Sequence, residues 1–433
     1  MIMPGQILRQ EETMKKTASA RQMALGAVGA CALALPAFGA AQAADPIRIG
    51  VIAENSAISG IAITNGAMLA ADEINAAGGI NGRKVEIVDY DDHNSATDAV
   101  RAFQRAVNQD HVVAVIGSYM SEVALALEPW AARLHTPYIT PGAASNEITR
   151  HVKDDYAHNK YTFHGYLTST AIADANCDFS HDFLVEKLGM KTTVMLSEDA
   201  AWTKPLDEES KRCLPKAGLA ILDSVRVSPD TTDFTPIFNK IEGQRPDVIT
   251  TGISHVGVQP TVQWHSEQVP VPMSGISSQA TTTSFWRDTN GATEGVIAQV
   301  VATPDVAITP KTIPYATAYF KRFGVTPAYT GYTTDDDVHI IAEAVGRAGS
   351  NDADKIVAEM EKTDYVGTIG RIAFYGQDSE FPHGLKYGAD FVSGLMIQWQ
   401  DGKQITVWPA RIANGTLKFP SFIKLPTQHA SAQ

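Results

Sequence analysis

One polar loop of the chain combines backbone and hydroxyl donors that can bind an anion. Residues 117–122, GSYMSE, follow the apolar run 112–116 and open a helical pattern at Ser121. Backbone N–H groups at a helix N-terminus carry partial positive charge, and a serine hydroxyl adds a further donor. The loop therefore predicts a ligand carboxylate near Tyr119 and Ser121. In the alternative interpretation, Ser121 only caps the helix.

Two further loops offer groups that suit a mostly dehydrated pocket. Residues 140–145, TPGAAS, end an apolar segment and include Gly142, Ala143 and Ser145. Residues 199–202, DAAW, end in Trp202, whose indole has a large apolar face and a single N–H donor. We predict that both loops contact a ligand; alternatively, the indole only covers its own part of the fold.

Histidine and amide side chains complete the predicted binding set. His255, in the loop GISHVG at 252–257, can donate to a carboxylate or a carbonyl. Gln279 follows two serines and can orient a ligand, or it can serve only as a hydrogen-bonding group of a hinge. Four aromatic side chains are candidates for a pocket wall, although core packing is the simpler explanation of each one alone: Tyr119, Trp202, Phe285 and Tyr329.

The sequence predicts neither catalysis nor a metal or cofactor. The acidic run 335–337 precedes an apolar helical stripe, so we interpret it as the first turn of a helix, where acids complement the dipole. Asp89, Asp91 and His93 lack the glycine and the terminal glutamate of a calcium loop. The chain contains no GxSxG elbow, no phosphate-binding Walker loop, no dinucleotide-binding GxGxxG and no cysteine in a catalytic pattern.

Strands and helices alternate along the chain, which positions these loops. Short apolar runs that end in glycine or polar residues suit strands buried on both faces of a parallel sheet, whose ligands lie beyond the carboxyl ends of the strands. The predicted strands are 47–52, 84–88, 112–116, 137–139, 191–196, 219–225, 247–251, 271–274, 296–301, 390–399 and 405–409. The predicted helices are 64–77, 95–109, 121–134, 169–188, 204–217, 233–242, 258–267, 311–323, 335–348 and 352–361.

Residues 65–92, NGAMLAADEINAAGGINGRKVEIVDYDD, carry the most specific pattern. They read as an amphipathic helix that ends at Gly78-Gly79, followed by a strand and acids. This segment resembles the leucine/isoleucine/valine-binding family of bacterial periplasmic solute receptors. The resemblance implies an α/β type I periplasmic-binding fold, with two Rossmann-like lobes whose parallel central sheets are joined by three crossover strands.

The resemblance also implies where the lobes divide. The first lobe would comprise residues 45–163 plus 279–370, and the second residues 164–278 plus 371–433. The crossings would fall near 163–165, 274–279 and 369–373. Closure of the two lobes about a ligand follows from this arrangement.

The family's binding residues are only partly matched. In the family, a serine at the position of Ser121 holds the ligand α-carboxylate, and the backbone and threonine of a "TPAAT" loop similar to residues 140–145 hold the ligand's amino group and carboxylate. The threonine is Ala144 here, so the resemblance implies backbone contacts from Gly142 and Ala143, and a hydroxyl from Ser145 only if the loop is shifted by one residue. Family members that bind amino acids place an acid after the strand 247–251, but no acid occurs at 252–257. A zwitterion would need another acid such as Glu54 or Asp335; otherwise the ligand is an amide or another small carboxylate.

The resemblance implies a periplasmic component of an ABC importer, which binds a small molecule and delivers it to permease subunits. The ligand would be a branched-chain amino acid, or a related amide or small carboxylate. An extracytoplasmic sensor on the same fold, similar to amide sensors, is the alternative. We expect a monomer that does not insert into a membrane, and the formal net charge of −13 argues against nucleic acid as a partner.

The N-terminal segment reads as a secretory signal peptide. A basic region begins at Met14, an apolar run covers 23–35, and small residues at 41–43 form a cleavage site. Residues 1–13 look like an over-long start. The segment around Cys31 partly resembles a lipoprotein box, but the apolar run continues to the better cleavage site.

Two cysteines, Cys177 and Cys213, follow this segment. An oxidising compartment permits a disulfide between them. The alternative is that both are small buried side chains, since cysteine is often interior whatever its redox state. The sequence does not decide between these states.

Overall fold

The computed structural model describes residues 45–426. The predicted signal peptide therefore lies outside the described residues. Within residues 45–426, no helix is long and apolar enough to cross a membrane.

The strands of the described region form two larger sheets and one hairpin. They are β1 (Ile47–Ala53), β2 (Val85–Asp91), β3 (Ala114–Gly117), β4 (Tyr138–Thr140), β5 (Thr162–His164), β6 (Thr192–Glu198), β7 (Ala220–Val227), β8 (Val248–Ile253), β9 (Met273–Ser277), β10 (Ile297–Val300), β11 (Tyr365–Val366), β12 (Arg371–Ile372), β13 (Leu395–Gln400) and β14 (Lys403–Trp408). The first sheet has the order β2-β1-β3-β4-β5 and is parallel throughout. The second has the order β14-β13-β10-β9-β8-β6-β7, in which only the pairs β10–β13 and β13–β14 are antiparallel.

The helices pack around these sheets. They are α1 (Ile58–Ala76), α2 (Ala96–Asn108), α3 (Ser121–Arg133), α4 (Glu147–Asp154), α5 (Tyr156–Asn159), α6 (Ser169–Phe179), α7 (Thr203–Cys213), α8 (Thr235–Gln244), α9 (Gln259–Ser266), α10 (Ser284–Asp288), α11 (Thr312–Phe323), α12 (Tyr329–Ala348) and α13 (Ala353–Met360). A π-helical segment, Ser180–Val185, continues α6 directly. Together the two cover most of the predicted helix 169–188. The α/β prediction with parallel central sheets is confirmed.

Several element boundaries follow from local chemistry. The side chains of Ser95 and Thr168 accept hydrogen bonds from backbone N–H groups of the first turns of α2 and α6, as N-cap residues do. Helix α12 ends at Gly349, whose φ of 57° lies in the left-handed region that favours glycine. These polar and glycine signals explain why most predicted boundaries lie within a few residues of the observed ones.

The predicted division between the lobes needs one correction. The segment 279–370 was assigned to the first lobe, but β10 lies within it and pairs with β9 and β13 of the second sheet. The predicted crossing at 274–279 falls on β9 and a 3₁₀ turn that follows it. The chain leaves the second sheet only after Val300, so we propose the second crossing there.

The acidic run 335–337 is not the first turn of a helix, and that prediction is wrong. Helix α12 already begins at Tyr329, because Thr330 and Thr333 on its first turns donate hydrogen bonds to the carbonyls of Ser59 and Pro141. All three aspartates are buried inside the fold. Burial raises the pKa of Asp336 to about 7 and also raises the pKa values of Asp335 and Asp337 well above their usual range.

A disulfide joins α6 to α7. Cys177 and Cys213 are bonded, with 6.0 Å between their Cα atoms. Both side chains belong to an apolar cluster of the second lobe that includes Phe179 and Leu214. Of the two states left open by the sequence, the structure has the bridged one.

Candidate ligand-binding site

A narrow cavity lies where the carboxyl ends of strands from both sheets meet. The segments after β3 and β4 form one wall, and the segments after β6, β8 and β9 form the other. The lining residues are Tyr119, Met120, Ser121, Gly142, Ala144, Tyr166, Ile172, Trp202, Ser254, His255, Ile276, Ser278 and Tyr329. The cavity has a volume of about 30 Å³. Since one water needs roughly 10–15 Å³ on this measure, the walls are nearly in contact.

Ser121 joins the two loops of the first wall. Its Oγ accepts hydrogen bonds from the backbone N–H groups of Ala144 and Ser145, both at 3.2 Å. It makes no side-chain cap of its own helix. Because the oxygen accepts twice, the hydroxyl hydrogen of Ser121 is left to donate into the cavity.

Close packing explains the glycine in this wall. A Cβ atom at Gly142 would lie 2.7 Å from Cγ2 of Thr330 and 2.9 Å from Cβ of Tyr119. The absence of a side chain therefore lets the loop 140–145 approach Tyr119. The hydroxyl of Tyr329 donates to the Gly142 carbonyl at 3.3 Å, and the hydroxyl of Tyr119 donates to Glu54 at 2.7 Å.

Glu198, at the end of β6, organises the second wall. Its side chain is fully buried, and Oε1 accepts from Trp202 Nε1 at 3.0 Å and lies 2.5 Å from His255 Nδ1. The other oxygen accepts from the backbone N–H groups of Ser254 and His255 at 2.8 and 2.7 Å. The two predicted residues Trp202 and His255 are thus held in place by one carboxylate.

Glu198 and His255 form an ion pair. Burial alone would raise the pKa of Glu198, but the hydrogen bonds and charge of His255 and the bonds from Ser254 and Trp202 outweigh it and lower the pKa. Burial alone would lower the pKa of His255, but Glu198 outweighs it and the pKa is raised. These shifts favour the charged pair, in which the imidazole of His255 lines the cavity and the balancing carboxylate of Glu198 lies behind it.

Three contacts connect the two walls directly. Glu122, after β3, accepts a hydrogen bond from the backbone N–H of Ala201 at 2.8 Å. Nε2 of His255 lies 2.9 Å from the sulfur of Met120. The hydroxyl of Ser169, at the start of α6, lies 2.8 Å from the Ala144 carbonyl and 2.7 Å from the Trp202 carbonyl, so its one hydrogen bonds either of them or is shared between them. These contacts hold the cavity closed.

The lining of this cavity contains no aspartate or glutamate. Three acids beside the lining residues are engaged by the protein: Glu54 accepts from Tyr119, Glu122 from Ala201, and Glu198 from several donors. Donors are available instead. Tyr166 lines the cavity, and its hydroxyl has no hydrogen-bonding partner within residues 45–426.

Five of the predicted site residues line the cavity: Tyr119, Ser121, Gly142, Trp202 and His255. Three others lie outside its lining. Ala143 is buried, and its carbonyl faces His164. Ser145 is also buried, and its Oγ accepts a hydrogen bond from the backbone N–H of Glu147. Gln279 donates a hydrogen bond to the carbonyl of Ser254. These three support the walls from behind.

The suggestion that Asp335 balances a ligand ammonium is wrong. Asp335 lines a different cavity, between α1, α11 and α12. Glu198 is not among the predicted residues, although an acid at the carboxyl end of a strand is a detectable signal. Tyr166 and Ile172 were missed because they lie in a connection and on a helix, where no strand end marks them.

The chain is similar to known proteins in sequence and in fold. The sequence model of the family described as "Periplasmic binding protein" matches residues 46–387. The chain is 26% identical over 401 residues to Leu/Ile/Val-binding protein homolog 7 of Brucella abortus (strain 2308), covering 88% of this chain and 96% of the relative.

Two solved structures have a similar fold. They are LivJ of Streptococcus pneumoniae in complex with isoleucine (TM-score 0.72, 23% identity, 84% of this chain and 100% of that one) and a Rhodopseudomonas palustris solute-binding protein in complex with benzoate (TM-score 0.71, 16% identity, 87% and 99%).

Proposed function

Because the chain belongs to the periplasmic binding protein family, we propose that it is the solute-binding component of an ABC importer. It captures one small ligand between its two lobes and presents the closed form to membrane permease subunits. The wall-to-wall contacts of Glu122, Ser169 and His255 support this cycle, because they make closure a distinct state that a ligand can stabilise.

The ligand we propose is a small carboxylate that carries no α-ammonium group. The observation that carries this proposal is the cavity lining, which offers aromatic and aliphatic faces, hydroxyls and one histidine but no carboxylate. An ammonium group buried there without a partner would cost several kcal/mol. A carboxylate instead meets donors and the positive charge of His255.

Each wall has a part in holding such a ligand. Ser121 and Tyr166 donate hydrogen bonds to the carboxylate, and His255 adds charge from the second wall. Trp202 and Ile172 pack on the apolar body of the ligand. The relatives' described ligands, isoleucine and benzoate, span both ligand classes, so the choice depends on the residues of this chain.

Ligand entry requires the lobes to separate. A volume of about 30 Å³ is far below the roughly 300 Å³ or more of ordinary small-molecule pockets. We propose hinge motion at the connections between the two sheets, followed by closure onto the ligand. The predicted signal peptide and the Cys177–Cys213 disulfide support export to an oxidising compartment such as the periplasm.

Matched ligand pairs test the proposal. Purified protein is unfolded, freed of ligand, refolded and titrated calorimetrically with 4-methylpentanoate against leucine, and with 3-phenylpropanoate against phenylalanine. Each pair differs only by the α-ammonium group. We expect the ammonium-free member to bind more tightly in at least one pair. Tighter binding of leucine or phenylalanine would overturn the ligand class, and binding of no small carboxylate, amide or amino acid would overturn the proposed function.

A further inference from the structure

A second cavity lies on the first lobe, between helices α1, α11 and α12. It has a volume of about 450 Å³ and shares no lining residue with the cavity at the strand ends. Glu73, Asp335 and His339 line it, and one ligand atom from each lies within 4.8 Å of the others. We propose that these three side chains bind a divalent transition-metal cation such as Zn²⁺.

Helix geometry brings the three side chains together. Asp335 and His339 are four residues apart on α12 and therefore lie on the same helix face. Helix α1 passes very close to α12, since a Cβ atom at Gly66 would lie only 2.6 Å from the Gly331 carbonyl oxygen. Two turns further along α1, Glu73 reaches the same face of α12.

The buried and unpaired side chain of Asp335 indicates a ligand-binding role rather than a structural one. Its side chain is 3% exposed, and Oδ1 is buried without a hydrogen-bonding partner among the described residues. A buried carboxyl group without a hydrogen-bonding partner is costly, and a bound cation would give its oxygen a partner. The next residue differs, because Asp336 accepts hydrogen bonds from the backbone and side chain of Thr368.

The side chains of Glu73 and His339 are also available to bind a metal. Within residues 45–426, neither Glu73 nor His339 makes a side-chain hydrogen bond. Glu73 is exposed on α1, and so its rotamer can adjust. Zinc–nitrogen and zinc–oxygen bonds are about 2.0–2.2 Å long, so a small adjustment of Glu73 completes a three-residue set with an open position for water.

The ligand atoms of the cluster favour a transition metal over calcium or magnesium. Lys311 also lines the cavity, with its ammonium group 3.8 Å from the centroid of the Tyr365 ring. Its positive charge opposes every divalent cation, so the gain must come from the ligand atoms. Zinc gains from the imidazole nitrogen of His339, which calcium and magnesium use poorly.

Metal titration of the untagged, chelator-treated protein tests the site. Calorimetry with ZnCl₂ should give one site per chain and should raise the melting temperature, whereas MgCl₂ and CaCl₂ should not compete. Asp335→Asn and His339→Asn should each lose that site. His158→Asn is the matched control, because His158 is an exposed histidine outside this cluster and its variant should keep the site.

Other results would overturn the proposal. It fails if no stoichiometric zinc binding occurs, or if Asp335→Asn and His339→Asn bind zinc as the unmodified protein does. His339 is only partly buried, so His339→Asn carries the test if Asp335→Asn does not fold. Zinc binding is measured without a ligand in the cavity at the strand ends. Absence of zinc binding would therefore leave the proposed transport function unaffected.

Discussion

Oε1 of Glu198 lies 2.5 Å from Nδ1 of His255, and this contact ties the end of β6 to the end of β8 beneath the ligand cavity. The same carboxylate holds the indole of Trp202. An acid in this position could be taken for the partner of a ligand ammonium. Here its hydrogen-bonding capacity is used inside the wall, so the member of the pair that lines the cavity is the imidazole of His255.

Trp202→Ala should weaken binding of the best carboxylate ligand by about 1–3 kcal/mol, because the indole face is lost from the cavity. Trp202→Phe should lose less, since it keeps a ring but not the hydrogen bond to Glu198. Calorimetric titration gives both values. Trp130→Ala, on α3 and outside the cavity lining, is the control and should bind normally. Unchanged affinity in Trp202→Ala would remove the indole from the site.

The pairing of His255 with Glu198 predicts a pH dependence of stability. The pKa of His255 is raised in the folded state, so its contribution is fully present below the usual value of 6.5 and is lost as the pH rises through the folded value. His255→Gln should remove this loss. Urea unfolding between pH 5 and 9 measures this loss as the pH dependence of the difference in unfolding free energy between the unmodified protein and His255→Gln.

The comparison with the variant matters because other histidines act in the opposite direction. Burial lowers the pKa of His164 to about 4, so His164 destabilises the fold as the pH falls below 6.5. Both proteins share that effect, and subtraction cancels it. A difference that does not vary with pH would contradict an ionised His255–Glu198 pair.

Local patterns in the sequence were sufficient for most of the fold. The run VVAVIG at 112–117 has the composition of a buried strand, and β3 occupies its end. The start of α12 was misplaced because three successive acids resemble a first turn. What sets the true start is the docking of Thr330 and Thr333 on distant carbonyls, which sequence spacing does not reveal.

The site was predictable only where strands end. The rule that ligands bind beyond the carboxyl ends of parallel strands located Ser121, Gly142 and Trp202. It could not decide which residues of a loop face inward, so Ala143 and Ser145 were included although both lie outside the cavity lining. Burial of each loop residue depends on tertiary packing.

Removal of the disulfide should lower stability without changing ligand affinity. Cys177 and Cys213 are 36 residues apart, and the chain-entropy relation for a loop of that length gives about 3–4 kcal/mol. The double variant Cys177→Ser/Cys213→Ser should show this loss in urea unfolding. Reductant should lower the stability of the unmodified protein to a similar level and leave the variant unchanged. Equal stability of the unmodified protein and the double variant, both measured without reductant, would contradict the prediction.

The hydrogen bond from Ala201 N–H to Glu122 should favour the closed form, because it joins the loop after β3 to the loop after β6. Glu122→Ala should weaken ligand binding by about 0.5–1.5 kcal/mol, the usual range for one hydrogen bond. Glu122→Gln keeps an acceptor oxygen and should lose less. X-ray scattering without ligand should show a larger radius of gyration for Glu122→Ala than for Glu122→Gln. If both variants match the unmodified protein in scattering and affinity, this contact does not control closure, and Ser169 becomes the residue to test.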